Sequence, residues 1–193
     1  MPVNVHLGCG QRVLPGFINV DLADFDHIDH RHDIADLPFF DDGSVDLIYA
    51  SHCLEYFDRT EVVAVLAEWR RVLKVGGTLR LGVPDFEAMA AVYGETGDLG
   101  LILGPLYGRM TSGAADDPLV IYHKTVYDLG SLSGVLATAG FENTRRFDWR
   151  ETIHKDHDDH SQAYIPHMDK QNGRLISLNV ETDKAAIGPE ESP

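Results

Sequence analysis

Short apolar runs alternate with helical patterns along this chain. The runs that predict strands cover residues 3–7, 17–20, 45–50 and 78–83, and two later strands are predicted over residues 143–149 and 174–180. Each of the first four runs stops directly before Gly, Asp, Ser or Pro, residue types that begin loops. Strands that alternate with helices indicate an α/β domain built on a parallel sheet.

One helix has both a start signal and a clear periodicity. Asp58 followed by Glu61 predicts a capping box at its N-terminus, and apolar residues recur at helical spacing over residues 62–73. Further helices are predicted over residues 86–93 and 129–139.

The connection between the first two predicted strands is unusually short. It occupies the stretch between Gly10 and Asp21 and contains Pro15 and Gly16. A parallel crossover with its own helix needs about 10–12 residues or more, loops included. The first helix is therefore expected to be truncated, with one face of the sheet thinly covered. An exposed apolar face there would favour a homodimer.

Composition fits one globular domain. The 193 residues are 44% hydrophobic and 24% charged, which predicts a single domain over residues 1–182 and a disordered tail over residues 183–193. The net charge of −15 opposes phosphate backbones and anionic headgroups, so neither nucleic acid nor a membrane is expected as a partner. The sequence contains no membrane-length apolar run and its two cysteines predict no disulfide framework; we expect no secretory leader and a cytoplasmic location.

Three features in strand order favour an adenosine site. The first strand leads into Gly8-Cys9-Gly10, where glycines allow a ligand to approach the backbone. Asp21 ends the second strand, where a carboxylate can accept both ribose hydroxyls, and Asp33 can accept from an adenine amine. Each feature alone is as easily an ordinary turn. A dinucleotide fingerprint would need a third glycine where Val13 stands, and a P-loop ending is missing.

These segments resemble class I S-adenosylmethionine-dependent methyltransferases. The resemblance covers residues 3–181 and is carried by HLGCG, GFINVDL, DIADLPFFDDGSVDLIYASHCLEYF, EWRRVLKVGGTLRLGVPD and LATAGFENTRRF. The chain is most similar to a compact, bacterial-type subgroup of predicted methyltransferases. The resemblance implies a Rossmann-like three-layer sandwich whose mostly parallel seven-stranded sheet contains an antiparallel C-terminal strand. It also implies S-adenosylmethionine as cofactor and S-adenosylhomocysteine as product.

The resemblance further implies which residues contact the cofactor. Those beside its methionine part are Gly8, Cys9 and Gly10. Those beside the ribose and adenine are Asp21, Leu22, Asp33 and Ile34, and those near the sulfonium are Ser51 and His52.

Three positions depart from the family pattern. His6 stands where an acidic residue is common, and Arg12 stands at the third glycine. Arg12 can instead pair with the cofactor carboxylate. The segment Leu54-Glu55-Tyr56 replaces the common Leu-Glu-His, which removes one candidate acid/base histidine.

A general base, which adds about 10²–10⁴-fold to a methyl transfer from a hydroxyl or protonated amine, is most naturally a histidine. His52 directly follows a predicted core strand, His123 lies in an aromatic stretch, and His160 lies in the loop over residues 150–173. In the family fold that loop begins at the active edge of the sheet. These three histidines are the predicted catalytic residues.

The same loop has His154, His157 and His160 at regular spacing among aspartates, a pattern that can bind Zn²⁺ or form a solvated acidic loop. No established metal motif is present, so no metal site is assigned. Residues 99–115, rich in glycine, are a candidate mobile lid.

The leading function is methyl transfer to oxygen or nitrogen of a small polar metabolite or sugar. One alternative is a cofactor-binding module without methyl transfer that supports or regulates a partner enzyme. Another is a methyltransferase that acts on a carrier-bound or protein acceptor and docks through the thin face.

Overall fold

The computed structural model describes residues 2–114 and 117–186. Its strands are β1 (Asn4–Leu7), β2 (Ile18–Asp21), β3 (His30–Arg31), β4 (Val45–Ser51), β5 (Leu73–Pro84), β6 (Met110–Ala114), β7 (Asp117–Ile121), β8 (Phe141–Arg146), β9 (Tyr164–Ile165), β10 (Arg174–Leu175) and β11 (Ser177–Lys184). Its helices are α1 (Glu61–Val72), α2 (Phe86–Thr96), α3 (Gly100–Tyr107) and α4 (Leu129–Thr138).

Seven strands form the main sheet in the order β3-β2-β1-β4-β5-β11-β8. β11 pairs antiparallel with both β5 and β8, and the other pairings are parallel. This arrangement confirms the predicted Rossmann-like sheet with its antiparallel C-terminal strand. The position of β1 between β2 and β4 brings the loops that follow these three parallel strands to one edge.

One face of the sheet packs against α1 and α4 in an aliphatic core. Trp69 of α1 is fully buried there, and its indole N–H donates to the Ile34 carbonyl at 2.7 Å. The predicted capping box is present, since Asp58 Oδ1 accepts from the Glu61 N–H at 2.8 Å and Glu61 Oε2 accepts from the Asp58 N–H at 2.8 Å. Local signals in the sequence therefore position α1 and the loop it supports.

On the opposite face of the sheet, the first helix is truncated as predicted, but the apolar surface is not exposed. Residues 8–17, all of which the structure describes, form turns and no helix, so the first helix is truncated as expected. The predicted exposed apolar face is wrong, because Leu14, Phe17 and Tyr49 are buried. His154, from the loop after β8, packs on Tyr49 with ring centroids 4.3 Å apart. The chain covers the thin face with its own residues.

Polar and aromatic groups hold this loop on the sheet. The Tyr49 hydroxyl donates to Asp159 Oδ2 at 2.6 Å, and the Tyr49 ring stacks on His6 at 5.3 Å between centroids. Burial lowers the pKa of both His6 and His154 to about 4. Both rings are therefore neutral near pH 7, as a buried aromatic stack requires.

The structure contains elements that the pattern did not predict. These are α3, the β6–β7 hairpin and β9, whereas the strand predicted over residues 174–180 is divided into β10 and β11. β11 also continues through Lys184, whose Nζ donates to the Leu73 carbonyl at 2.7 Å. The predicted tail boundary after residue 182 is thus wrong, because that lysine anchors the strand. The rest of the predicted tail, residues 187–193, lies outside the described residues.

We predict that Tyr49→Phe lowers the free energy of unfolding by about 1–3 kcal/mol, because it leaves the buried Asp159 carboxylate without its hydroxyl donor. Tyr93→Phe is the matched control, since Tyr93 is exposed. Urea unfolding of both variants measures the difference. Equal stability of the two variants would mean that this hydrogen bond does not hold the loop.

Candidate active site

The sheet order creates a crevice at the carboxyl ends of β1 and β4. The chain leaves β1 toward β2 and later returns to the other side of β1 as β4. Ligands of open α/β sheets bind at such a switch point. The residues that follow these two strands, Gly8-Cys9-Gly10 and His52-Cys53, are therefore the first candidates for a ligand site.

The glycine loop has the backbone conformation that glycine favours. Gly8 and Gly10 have φ values of +62° and +52°. A Cβ on Gly8 would lie 2.8 Å from Cβ of Cys53, so this glycine lets the β1 and β4 loops meet. A Cβ on Gly10 would meet no atom within 4 Å, which leaves its backbone open to a ligand. Cys9 is buried, and burial raises the pKa of its thiol to about 12.

Asp21 fixes the loop from the end of β2. Its carboxylate accepts from the Gly10 N–H and from the Ala23 N–H, both at 2.8 Å. His27 Nε2 lies 2.9 Å from the Gly10 carbonyl and braces the loop from the other side. No signal in the sequence singled out His27, because this contact joins residues far apart in the pattern.

Of the residues predicted to contact the adenine, one lies close to the glycine loop and the others are exposed. Ile34 approaches the loop, with its Cδ1 3.8 Å from the Cβ position of Gly8. Leu22 is exposed beside Asp21, and Asp33 is exposed with its carboxylate accepting from the Ala35 N–H at 2.9 Å. Both side chains are therefore accessible to a ligand at the ends of β1 and β2.

The three predicted catalytic histidines converge. His52 directly follows β4 with φ +54°, and its Nε2 lies 2.9 Å from Ser177 Oγ. Its ring packs on His160 with centroids 5.3 Å apart. Burial and then the charge of Arg12 lower the pKa of His160, so the exposed Arg12 lies near it. His154 instead packs under the sheet on Tyr49, so the regularly spaced histidines of the loop separate.

His123 reaches the same cluster from the segment before α4. Its Nδ1 lies 3.0 Å from the Pro105 carbonyl, and its backbone N–H donates to the Tyr107 carbonyl at 2.9 Å. Its ring lies directly on Gly108, where a Cβ would overlap it. The end of α3, within the predicted lid, therefore positions His123. Whether residues 99–115 move remains a prediction, and residue 115 lies outside the described residues.

Glu55 lies between two of these histidines, and the sequence did not indicate it as a site residue. Its Oε1 is 3.6 Å from both His52 Nδ1 and His123 Nε2, and its carboxyl is fully buried. Neither carboxyl oxygen has a hydrogen-bond partner among the described residues. Burial raises the pKa of this carboxyl to about 8. The available signal was a single acidic residue inside the apolar run CLEYF.

Within residues 2–114 and 117–186, no group of three His, Cys, Asp or Glu side chains is arranged to hold a metal ion. The chemistry available is that of imidazoles, one carboxyl group and two hydroxyls, Ser51 and Ser177, beside an open glycine loop.

Comparison with known proteins agrees with this geometry. A family model described as a methyltransferase domain matches residues 17–81, and no curated protein matches the chain. An S-adenosylmethionine-dependent methyltransferase of Methanosarcina mazei is 16% identical with a TM-score of 0.55, over 95% of this chain and 92% of that one. A second structure is a Haloferax volcanii complex of the Trm112 methyltransferase activator and a methyltransferase. It is 15% identical with a TM-score of 0.55, over 98% of this chain and 84% of that one.

A third structure contains a bound product. It is the Burkholderia thailandensis 1,6-didemethyltoxoflavin-N1-methyltransferase with S-adenosylhomocysteine, 12% identical with a TM-score of 0.54, over 96% of this chain and 72% of that one. Residues 17–81 thus match a methyltransferase domain, and the fold over nearly the whole chain is that of S-adenosylmethionine-dependent methyltransferases. The product bound in that third structure, S-adenosylhomocysteine, is what remains of the cofactor S-adenosylmethionine after the methyl group has left.

The residues at the crevice fit this cofactor. The open backbone of Gly10 allows close approach, and the Ser51 hydroxyl is buried without a hydrogen-bond partner among the described residues. A buried polar group without a partner is costly unless a ligand satisfies it. Asp21 retains lone pairs for hydroxyl donors beyond the two N–H groups that it already accepts.

We predict that Asp21→Ala weakens S-adenosylhomocysteine binding by about 10- to 100-fold, because both the loop bracing and the hydroxyl acceptor are lost. The control is Asp36→Ala, an exposed aspartate of the next turn. Isothermal titration calorimetry with both variants measures the change. Unchanged binding in Asp21→Ala would exclude Asp21 from the cofactor site.

Proposed function

We infer that the protein transfers a methyl group to an oxygen or nitrogen atom of a small polar metabolite or sugar. The observation that carries this proposal is the convergence of His52, His123 and His160 beside the glycine loop. A hydroxyl or protonated amine must lose a proton during the transfer, and imidazoles suit that task. An acceptor that needs no proton removal would not require such a cluster.

The cofactor positions follow from the crevice. We assign the methionine part to Gly8, Cys9 and Gly10, with Arg12 available for its carboxylate. We assign the ribose to Asp21 and the adenine face to Leu22. The adenine edge is assigned to Asp33 and Ile34, and the sulfonium to Ser51 and His52. Support comes from the open Gly10 backbone, the approach of Ile34 to Gly8, and the pKa of His160, which the charge of Arg12 helps to lower.

The bound cofactor supplies a methyl group that is already activated by the positive sulfur. The chain must therefore align the acceptor and take up its proton, and alignment alone supplies much of the rate. Burial, followed by the nearby His160 and His123, lowers the pKa of His52 well below its usual value. The His52 ring is consequently neutral at pH 7 and able to accept a proton.

The surroundings of the cluster bear on the acceptor and on partners. The Tyr107 carbonyl accepts from the His123 N–H, and the side chains of Tyr107 and Tyr122 form an exposed aromatic rim next to His123 in the chain. An acceptor with one apolar side and one polar side fits this rim.

The net charge of −15 disfavours nucleic acid as a partner, and none of the helices in the described part of the chain could span a membrane. The face proposed for a homodimer is already covered by His154 and Asp159, so that face does not support a dimer.

An acceptor screen that measures S-adenosylhomocysteine release tests the function, beginning with sugars and amines. For an accepted substrate, we expect His52→Asn to lower kcat by about 10²–10⁴-fold while cofactor binding persists. The control is His167→Asn, because His167 is exposed.

Two results would contradict the proposal. Turnover unaffected by His52→Asn would remove the histidine cluster from the chemistry. Tight cofactor binding with no accepted substrate would instead favour a module that supports a partner enzyme.

A further inference from the structure

Glu55 is a buried acid with titratable groups on every side. His52 faces it from the end of β4 and His123 from the segment before α4. The backbone N–H of Lys124 donates to the Glu55 carbonyl at 2.8 Å, which holds the two segments together. The other neighbours are Cys53 and Tyr56 on its own segment and Tyr127, whose pKa values are all raised first by burial and next by the Glu55 charge. His160 acts on the cluster through its packing on His52.

Hydrogen bonds determine the tautomer of His52. The Asn179 side-chain amide donates to the Ser161 carbonyl at 2.8 Å, so its Oδ1 is free to accept from Ser177 Oγ at 2.9 Å. The single Ser177 hydroxyl proton is thereby used. His52 Nε2, 2.9 Å from that hydroxyl oxygen, must then be the donor. The neutral His52 ring consequently presents an unprotonated Nδ1 to Glu55.

The tautomer of His123 is determined in the same way. Its Nδ1 lies 3.0 Å from the Pro105 carbonyl, which can only accept, so Nδ1 carries the proton. The unprotonated Nε2 therefore also points at Glu55. Two nitrogen lone pairs converge on one carboxyl oxygen, each at 3.6 Å. An ionised Glu55 would add a third set of lone pairs, so this arrangement favours the protonated form of Glu55.

We propose that Glu55 is a positioning residue whose ionisation switches His52 from a hydrogen-bond donor toward Ser177 into a base. With Glu55 protonated, His52 keeps its proton on Nε2. With Glu55 ionised, His52 turns to the Nδ1–H tautomer, donates to the carboxylate and leaves Nε2 unprotonated. This role rests on the proposed function, because it assigns the step that activates the acceptor.

The step balances with the groups named. The acceptor X–H bond breaks, and its proton goes to His52 Nε2 while the acceptor electron pair forms the X–CH₃ bond. The bond from carbon to the sulfonium breaks, and its electron pair returns to sulfur. Glu55 stays ionised and stabilises the imidazolium, as the carboxylate does in a Ser-His-Asp triad.

The ionisation of Glu55 determines how kcat depends on pH. Burial raises the pKa of Glu55 to about 8, so the active tautomer is scarce below that pH and abundant above it. We expect kcat to rise with pH through this value. In Glu55→Gln the amide donates to Nδ1 and keeps the inactive tautomer at every pH. The kcat of this variant should be about 10²-fold lower above about pH 8, without a matching change in KM for the acceptor.

Nitrogen-15 NMR of the histidine rings tests the switch without cofactor or acceptor. In the wild type we expect His52 to change from Nε2–H to Nδ1–H between about pH 6 and about pH 10. Glu55→Gln should abolish the change, and Glu55→Asp should retain it. Glu87→Gln, which alters an exposed glutamate of α2, should leave it intact.

A wild-type His52 ring that keeps one tautomer over the whole range would overturn the proposal, and this result needs no variant to fold. The same tautomer change in Glu55→Gln would also overturn it. A tautomer change that follows Glu55 in a protein that methylates no acceptor would instead contradict the proposed function. The two failures are thus distinguishable.

Discussion

The short connection between β1 and β2 is the constraint on which the rest of the structure depends. Residues 8–17 leave no length for a covering helix, and they form turns around Leu14 and Phe17. The face beneath must still be shielded from water, and the loop after β8 shields it. Because the Tyr49–Asp159 hydrogen bond holds this loop on the sheet, His160 comes to lie against His52 at the active edge. The same loop therefore covers the sheet and completes the site.

This solution makes the covered face polar and aromatic instead of aliphatic. His6, Tyr49 and His154 form a buried stack, and Asn179 connects β11 to the loop through the Ser161 carbonyl. Buried polar groups are stabilising only when their hydrogen bonds are made. The same chain of bonds continues through Ser177 to His52. The groups that fasten the loop therefore also set the protonation of the candidate base.

Sequence reasoning succeeded where the signal is local. The capping box of α1 is a short pattern with a direct physical cause, and the structure contains it as expected. The glycine loop and Asp21 lie at the ends of β1 and β2 as the pattern indicated, and their contacts with a ligand remain predictions. It failed where a contact joins distant segments. The cover over Tyr49, the bracing of Gly10 by His27 and the convergence of two histidines on Glu55 depend on tertiary packing. Periodicity also missed α3, whose sequence GLILGPLY is apolar throughout and has no helical stripe.

A crystal structure of the protein with S-adenosylhomocysteine tests most directly whether cofactor and base meet at the carboxyl ends of β1 and β4. We predict the adenosine between Asp21 and Ile34, with the sulfur facing Ser51 and His52. The competing location is a groove of about 450 Å³ between α2 and the β9–β10 pair, lined by Val92, Leu101, Ile165 and Arg174. A nucleoside bound in that groove, or a sulfur turned away from His52, would contradict both the cofactor assignment and the role of the histidine cluster.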